Sequence, residues 1–281
     1  MLKDYQDILF PYAYNILGTA EDARDVIQDV LAKYYALPRE GIANEKAYLI
    51  KGVINQSINK KQRNKLLPQP EEWLPEPVAT ESADGNVHLK DILSYSLLIL
   101  LEKLNAKERA VFILKESFDY DHREIAEILS ITEDSARKLL SRAKTKLFKP
   151  GGEAPRNPIR DAHTNALLQN YIDAIRDRNM PRLEALLTED IAFYADGGGK
   201  IKVFRKVCTG AATVAEVLIY VYHTYQAMAT MQSAILNHQP AFLFYYKGRL
   251  GSCVVFDIAG DHILRVNSIV DPEKLKNLRI D

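Results

Sequence analysis

Over the first 150 positions or so, apolar residues recur every three or four places, which predicts helices. Leu9, Tyr12, Ala13, Ile16 and Leu17 mark one helix face, ended by Gly18. Thr19 then caps a helix that turns Ala23, Val26, Ile27, Val30, Leu31 and Tyr34 inward and Glu21, Asp22, Asp25 and Asp29 outward. Pro38 to Asn44 reads as a loop. A third helix, about 45–65, buries Tyr48, Leu49, Val53, Ile54 and Ile58 and exposes Lys51, Asn55, Asn59, Lys60, Lys61 and Arg63. Pro68, Pro70, Pro75 and Pro77 make 66–90 a linker, because proline blocks regular helix there and before it. Residues 91–118 are helical again, with Asn105 to Glu108 as cap and first turn. Residues 119–149 read as a helix-turn-helix. Ile125, Ile128 and Leu129 line the first helix, and Ser130-Ile131-Thr132 breaks the period with Thr132 as N-cap. Ala136, Leu139, Leu140, Ala143 and Leu147 line the second helix.

Pro150, Gly151, Gly152 and Pro155 mark a boundary, after which the pattern changes. Two helices, about 159–178 and 181–187, precede a strand at 191–195. A turn, DGGGK at 196–200, leads to a short strand at 201–207 and a helix at 211–225. Strand-type runs follow at 227–236, 240–248, 249–258 and 262–270, with Gly-Arg and Ala-Gly-Asp as hairpin turns. Helices followed by such runs predict an α+β domain with a curved antiparallel sheet, wrapped around its helices as a cone with an apolar pocket.

Charge changes this picture more than composition does. The 281 residues are 47% hydrophobic and 26% charged, ordinary for a globular chain, and the formal net charge is zero. The zero hides local bias. From Ser135 to Lys149 the basic residues are Arg137, Lys138, Arg142, Lys144, Lys146 and Lys149, with no acidic one. With Ser135 and Ser141, they form the polar face of the second helix of the helix-turn-helix, a face suited to a major groove. Residues 46–65 are likewise basic without an acid, whereas 19–32 hold Glu21, Asp22, Asp25 and Asp29 against Arg24. An acidic helix beside a basic, Asn-rich one suggests two different partners. The cysteines, Cys208 and Cys253, lie far apart and suit a reducing compartment as buried thiols. Asp4 and Asp7 interrupt the first apolar stretch, which argues against a signal peptide, and no apolar run approaches the roughly 18 residues of a membrane span. The expectation is a cytoplasmic protein without a membrane partner.

Three segments, GTAEDARDVIQDVLAKYY, AYLIKGVINQSINKKQR and LNAKERAVFILKESFDYDHREIAEILSITEDSARKLLSRAKTKL, resemble regions 2 and 4 of the extracytoplasmic-function (ECF) sigma factors. Residues 157–281 resemble the SnoaL-like branch of the nuclear-transport-factor-like fold. WLPEP at 73–77, DGGGK at 196–200 and DPEKL at 271–275, where the family usually has NPDKL, complete a resemblance to the sigma-factor group with a fused C-terminal SnoaL-like domain. The implied fold is multidomain: two all-α sigma-factor domains, the second with the helix-turn-helix, and an α+β cone. The implied domains are region 2 at 1–66, a Pro-rich linker at 67–90, region 4 at 91–150 and a regulatory domain at 157–281.

The resemblance also implies roles. Asp22, Asp25, Gln28 and Asp29 match the surface that docks on core RNA polymerase. Asn55, Asn59, Lys60, Lys61 and Arg63 match the part that meets the −10 promoter element, and the Pro38–Asn44 loop lies where the family captures a flipped base. Ser135, Arg137, Lys138, Ser141, Arg142 and Lys144 match the −35 reader. Trp73, Leu74, Pro75, Glu76 and Pro77 are expected to touch Asp196, Gly197, Gly198, Gly199 and Lys200, with the turn's backbone or Lys200 meeting Glu76 and Asp196 bracing the turn. The expected partners are core RNA polymerase and promoter DNA, and the cone is a candidate small-molecule pocket.

Other chemistry is weakly signalled. DGGGK lacks the spacing of a phosphate loop and is not followed directly by a helix. The histidines form no HExxH motif or cluster with cysteine, so neither metal nor cofactor is expected. Tyr194, Asp196, His223 and Asp257 are the groups that acid–base catalysis in the cone would use, but the expectation is no catalytic residue and no enzyme. The rival readings are a ligand-sensing helix-turn-helix regulator and an enzyme of the SnoaL-like fold tethered to DNA.

Overall fold

The structure is a computed structural model describing residues 2–36, 42–65, 73–81, 87–148, 162–204 and 207–278. Its contacts divide the chain into two compact units, residues 1–69 with 84–155, and 70–83 with 156–281. The expected boundaries treat 1–66 and 91–150 as separate domains. Here their helices share one unit, and part of the linker joins the C-terminal unit.

The first unit is helical. α1 (Leu2–Leu17), α2 (Ala20–Ala36) and α3 (Glu45–Asn64) pack through Leu9, Ala13, Val26, Ile27, Val53 and Ile54, all 2% exposed or less. Asn44 caps α3 by accepting from the Ala47 N–H. Thr19 precedes α2, but its hydroxyl is buried without a hydrogen bond, so only its carbonyl serves the first turn. After a 3-10 turn at Val87–Asp91 come α4 (Tyr95–Leu101), α5 (Ala106–Glu116), α6 (His122–Leu129) and α7 (Glu133–Leu147). Capping boxes start α5 (Asn105, Glu108) and α6 (Asp121, Glu124), and Thr132 caps α7. Ser130 ends α6 in the left-handed conformation, φ 53°, which makes the turn of the helix-turn-helix.

α1 and α3 also pack on the later helices. Tyr12 stacks on Phe118 at 4.0 Å, and Arg109, fully buried, donates to the Asn15 carbonyl and pairs with Glu102. Lys61, expected on the exposed face of α3, is 6% exposed. It donates to the Leu17 carbonyl and to both Glu102 oxygens.

In the second unit, α8 (Ala162–Arg176), α9 (Met180–Glu184) and α10 (Ala211–Val221) pack against a sheet of β1 (Leu187–Asp196), β2 (Cys208–Thr209), β3 (Thr230–Leu236), β4 (Gln239–Tyr246), β5 (Arg249–Ala259) and β6 (His262–Ile269). The strand order is β2-β1-β6-β5-β4-β3. All pairings are antiparallel except β1 with β6, so the sheet is mixed at that junction. Register shifts in β1–β6, β4–β5 and β5–β6 are bulges of the kind that bend a sheet. Tyr171 of α8 meets Phe256 edge-to-face at 5.0 Å in the core. The short strand expected at 201–207 is absent at 201–204, and β2 pairs instead at Cys208–Thr209. The helix expected to reach 225 changes to a π turn at Tyr222–Gln226. α11 (Pro272–Leu275) closes the described chain.

Candidate nucleic-acid interface and linker clasp

α7 presents one basic, exposed face because its apolar stripe is buried against α5 and α6: Ala136 and Ala143 are fully buried, Leu140 and Leu147 nearly so. Arg137, Lys138, Ser141, Arg142 and Lys144 are exposed, and Ser135 is half-buried beside the cap, its hydroxyl 2.8 Å from Thr132 Oγ1. Arg137 pairs with Glu133 and Lys138 with Asp134, at 2.8 and 2.7 Å, one turn back. Such exposed pairs are screened by solvent and hold the side chains only weakly, so both are available to a stronger anion. Lys144 reaches Glu116, and Lys146 reaches Glu108.

The −10 set on α3 does not form one free face. Asn59 and Arg63 are exposed. Asn55 donates to the Ile128 carbonyl at 2.8 Å, and its neighbour Lys51 donates to the Glu127 carbonyl at 2.7 Å, so the C-terminal end of α6 sits on this part of α3. Lys60 pairs with Asp22 at 2.8 Å and Asp25 at 3.2 Å. Asp29 accepts from Gln56, and Asn64 donates to Asp22. The acidic helix and the basic helix are therefore partners of each other along one edge, where the sequence suggests two separate faces. Gln28 remains exposed on α2. Asp29, Lys33, Asn55, Gln56, Asn59 and Arg63 border a polar groove of about 500 Å3 between the two helices. Residues 38–41 of the Pro38–Asn44 loop lie outside the described residues.

Lys61 is a correction to that set, since it faces the interior with Glu102 and Arg109. Burial, reinforced by Arg109, pushes its pKa down to about 7. Burial alone would raise Glu102, but Arg109 and Lys61 more than offset this and hold its carboxyl below the usual range.

The C-terminal unit grips the linker through a buried ion pair. Asp196 ends β1 and is 1% exposed. Its Oδ2 accepts from the Leu74 N–H at 2.8 Å and pairs with Lys274 of α11, while Lys274 also donates to the Leu74 carbonyl. Both backbone groups of Leu74 are thus satisfied by one carboxylate and one ammonium. Lys274 lies 4.4 Å from the centre of the Trp73 ring, a cation–π distance. Leu74 is 2% exposed, and Pro75, Glu76 and Pro77 are buried. The other Asp196 oxygen accepts from the Gly198 N–H at 2.8 Å, so the carboxylate braces its own turn. Gly198 has φ +62°, and a Cβ there would stand 2.3 Å from the Asp271 carboxylate. A Cβ on Gly197 would stand 2.2 Å from the Ile201 carbonyl oxygen, and Gly199 has φ +71°. Lys200, expected near Glu76, pairs instead with Glu273 at 2.8 Å; its hydrogen bond, with help from Lys276, holds that carboxyl at about 2. Farther along, residues 78–80 bond the β3–β4 turn: Val78 N–H to Asn237 Oδ1, Asn237 N–H to the Val78 carbonyl and Thr80 N–H to the Ile235 carbonyl.

Lys274 and Asp271 complete this clasp and are not among the residues expected there. Their signal in the sequence is the DPEKL motif, a family mark that by itself carries no role. Tyr194, Asp196, His223 and Asp257 do not converge. None lines the cone's pocket, and His223 is spent on the Ile175 carbonyl, Asp257 beside Gln239, and Tyr194 under Arg265. Among the described residues no group of His, Cys, Asp or Glu is placed to hold a metal ion, and no helix is long and apolar enough to cross a membrane.

The family model for sigma-70 region 4 matches residues 96–147, which contain α5, the helix-turn-helix and its basic face. The ECF RNA polymerase sigma factor SigJ of Mycobacterium tuberculosis is 25% identical over 224 residues, 77% of this chain and 70% of that protein. The chain is similar to the extracytoplasmic-function sigma factors, and its region 4 is that of a sigma-70 protein. A second relative from the same organism, a probable ECF RNA polymerase sigma factor named SigI, is 23% identical over 99% of this chain and 95% of its own length. The crystal structure of SigJ superposes with a TM-score of 0.77 at 21% identity and covers 99% of this chain and 98% of that one, so the fold, including the C-terminal α+β domain, is shared along the whole chain.

Proposed function

We propose that this protein is an extracytoplasmic-function sigma factor that binds core RNA polymerase, reads −35 and −10 promoter elements and initiates transcription, and that its own C-terminal domain regulates it through the linker clasp. The observation that carries the reading is the exposed basic face of α7 inside the region 4 match. Arg137, Lys138, Ser141, Arg142 and Lys144 lie on that face, with Ser135 at its start, and a groove-reading helix uses its first turns on bases and the rest on phosphates. The groove between α2 and α3, with Asn55, Asn59 and Arg63, supports −10 contact by an unstacked strand, with Lys60 at its edge. Asp22, Asp25, Gln28 and Asp29 on α2 are the polymerase-facing set. Because Asn55 and Lys51 are held by the end of α6, promoter engagement by α3 requires α6 to leave it. The clasp supplies the control. Segment 73–81 stands in the chain between α3 and α4, and fixing it to the C-terminal domain limits how α3 and α7 separate. Such a domain biases two arrangements by the difference in its contacts to each.

Run-off transcription with core polymerase, comparing the full chain with a version ending near Lys149, tests this reading. The expected result is polymerase-dependent initiation by both, at different levels. Specific, tight operator binding by the protein alone, with no transcript in the presence of polymerase, would favour a helix-turn-helix repressor instead.

A further inference from the structure

The C-terminal unit contains a pocket of about 730 Å3 between α10, the 201–204 segment and the sheet. That volume is in the range of small-molecule sites, about 300–1,000 Å3. The rings of Phe193, Phe204, Tyr220 and Tyr225 follow one another edge-to-face at 6.5, 6.5 and 6.3 Å. Phe204, Tyr220 and Tyr225 are nevertheless 40%, 53% and 60% exposed, so much aromatic surface is left uncovered. A planar ring is the natural occupant of such a wall, since offset and edge-to-face contacts are both open to it.

A second observation points to a ligand with a polar edge. Gln226 lines the pocket and is 8% exposed, yet its side-chain amide makes no hydrogen bond among the described residues. The amide faces the open pocket, where a bound hydroxyl or carbonyl can pair with it in place of water. Gln226 ends the π turn Tyr222–Gln226, a distortion found mostly at functional sites. The turn is anchored from three sides. Arg176 donates to the Tyr222 hydroxyl at 3.1 Å, His223 bonds the Ile175 carbonyl at 2.9 Å and the Tyr246 hydroxyl donates to the Tyr225 carbonyl at 2.5 Å. The turn that carries Gln226 is therefore fixed before anything binds. Lys202 and Glu216, both exposed on the lining, carry opposite charges and leave no net field for an ion, and an ion would lose its hydration among apolar walls.

We propose that this pocket binds a neutral, planar aromatic molecule through ring contacts with Tyr220 and Tyr225 and a hydrogen bond from or to Gln226. The test uses the full-length chain and 4-phenylphenol as probe, titrated by calorimetry. One saturable site is expected. Tyr225→Ala and Gln226→Leu should each weaken it at least fivefold, with helical circular dichroism and melting temperature unchanged. Biphenyl-4-carboxylate, the anion of similar shape, should bind at least tenfold more weakly than the phenol. The absence of saturable binding up to the solubility of the phenol overturns the proposal. So does equal affinity in both variants, which places binding elsewhere. Weakening by Tyr225→Ala alone overturns the polar edge, and tighter binding of the carboxylate overturns the choice of a neutral ligand.

Discussion

Gly198 shows how much one position carries. Its φ of +62° is left-handed, and the space a Cβ would take holds the Asp271 carboxylate. Gly198→Ala is expected to destabilise the C-terminal unit by more than the roughly 1–2 kcal/mol of left-handed strain alone, read from Trp73 emission during urea unfolding. Lys61 sets a second residue-scale expectation. Its folded pKa, about 7, lies below the usual 10.5. Between those values the unfolded chain binds the extra proton, so Lys61 makes stability rise with pH across the window, by up to about 1.4 kcal/mol per pH unit. The penalty is fully present below about 7 and relieved toward the lysine range. Urea unfolding followed by helical circular dichroism at pH 7 and 9 should show this gain in the parent and lose it in Lys61→Met. The helical period hints at this burial, because Ile54, Ile58 and Lys61 fall on one stripe of α3. The residue type argues the other way, and only Glu102 and the Leu17 carbonyl, both distant in sequence, make a lysine tolerable there.

α7 is the element whose structure the sequence displays best. Its apolar stripe, cap and basic face all follow from residues within one helix, and tertiary packing has only to keep the stripe inward. Arg137→Ala and Lys138→Ala break only exposed pairs and should leave the fold intact. If either side chain reads a base, its removal is expected to cost about 1–3 kcal/mol in −35 use and to relax specificity at one base pair. If it holds a phosphate, its removal should mainly lower the salt slope of binding. Transcription from promoters varied singly at the −35 positions separates these outcomes, and no effect from either change would remove α7 from the groove. α2 and α3 are less legible. Their charges are local facts, but whether Asp22 and Lys60 face solvent or each other depends on how two helices cross.

On the scale of the whole molecule, the clasp and the packing within the first unit are the two controls we propose. Lys274→Met leaves the Asp196 carboxylate buried without its cation, and breaking such a pair from one side costs about 3–5 kcal/mol. Release of segment 73–81 is expected, seen as increased acrylamide quenching of Trp73, together with a several-fold change in run-off transcription. Trp73→Ala and Asp196→Ala should change transcription in the same direction. Normal transcription by all three would separate the clasp from regulation. In the first unit, Phe118→Ala removes the stacking on Tyr12 and should loosen α1 from the α5–α6 turn. If closure limits promoter binding, this variant transcribes more strongly than the parent at equal concentration.

Local chemistry by itself determined the helices, their caps, the helix-turn-helix and the change to strands in the C-terminal half, because period, capping residues and turn glycines act within a few positions. It also marked WLPEP, DGGGK and DPEKL as unusual. Tertiary structure decided which of those motifs touch and through which atoms. A lysine on α11 reaches a carboxylate at the end of β1 and a backbone carbonyl of the linker, a meeting of three distant segments that no periodicity encodes. It likewise placed α6 on Asn55, put Lys61 inside, ran β1 parallel to β6 and left the Gln226 amide facing an open pocket. Each of these depends on long-range packing, where burial and a partner's position outweigh what a residue prefers alone.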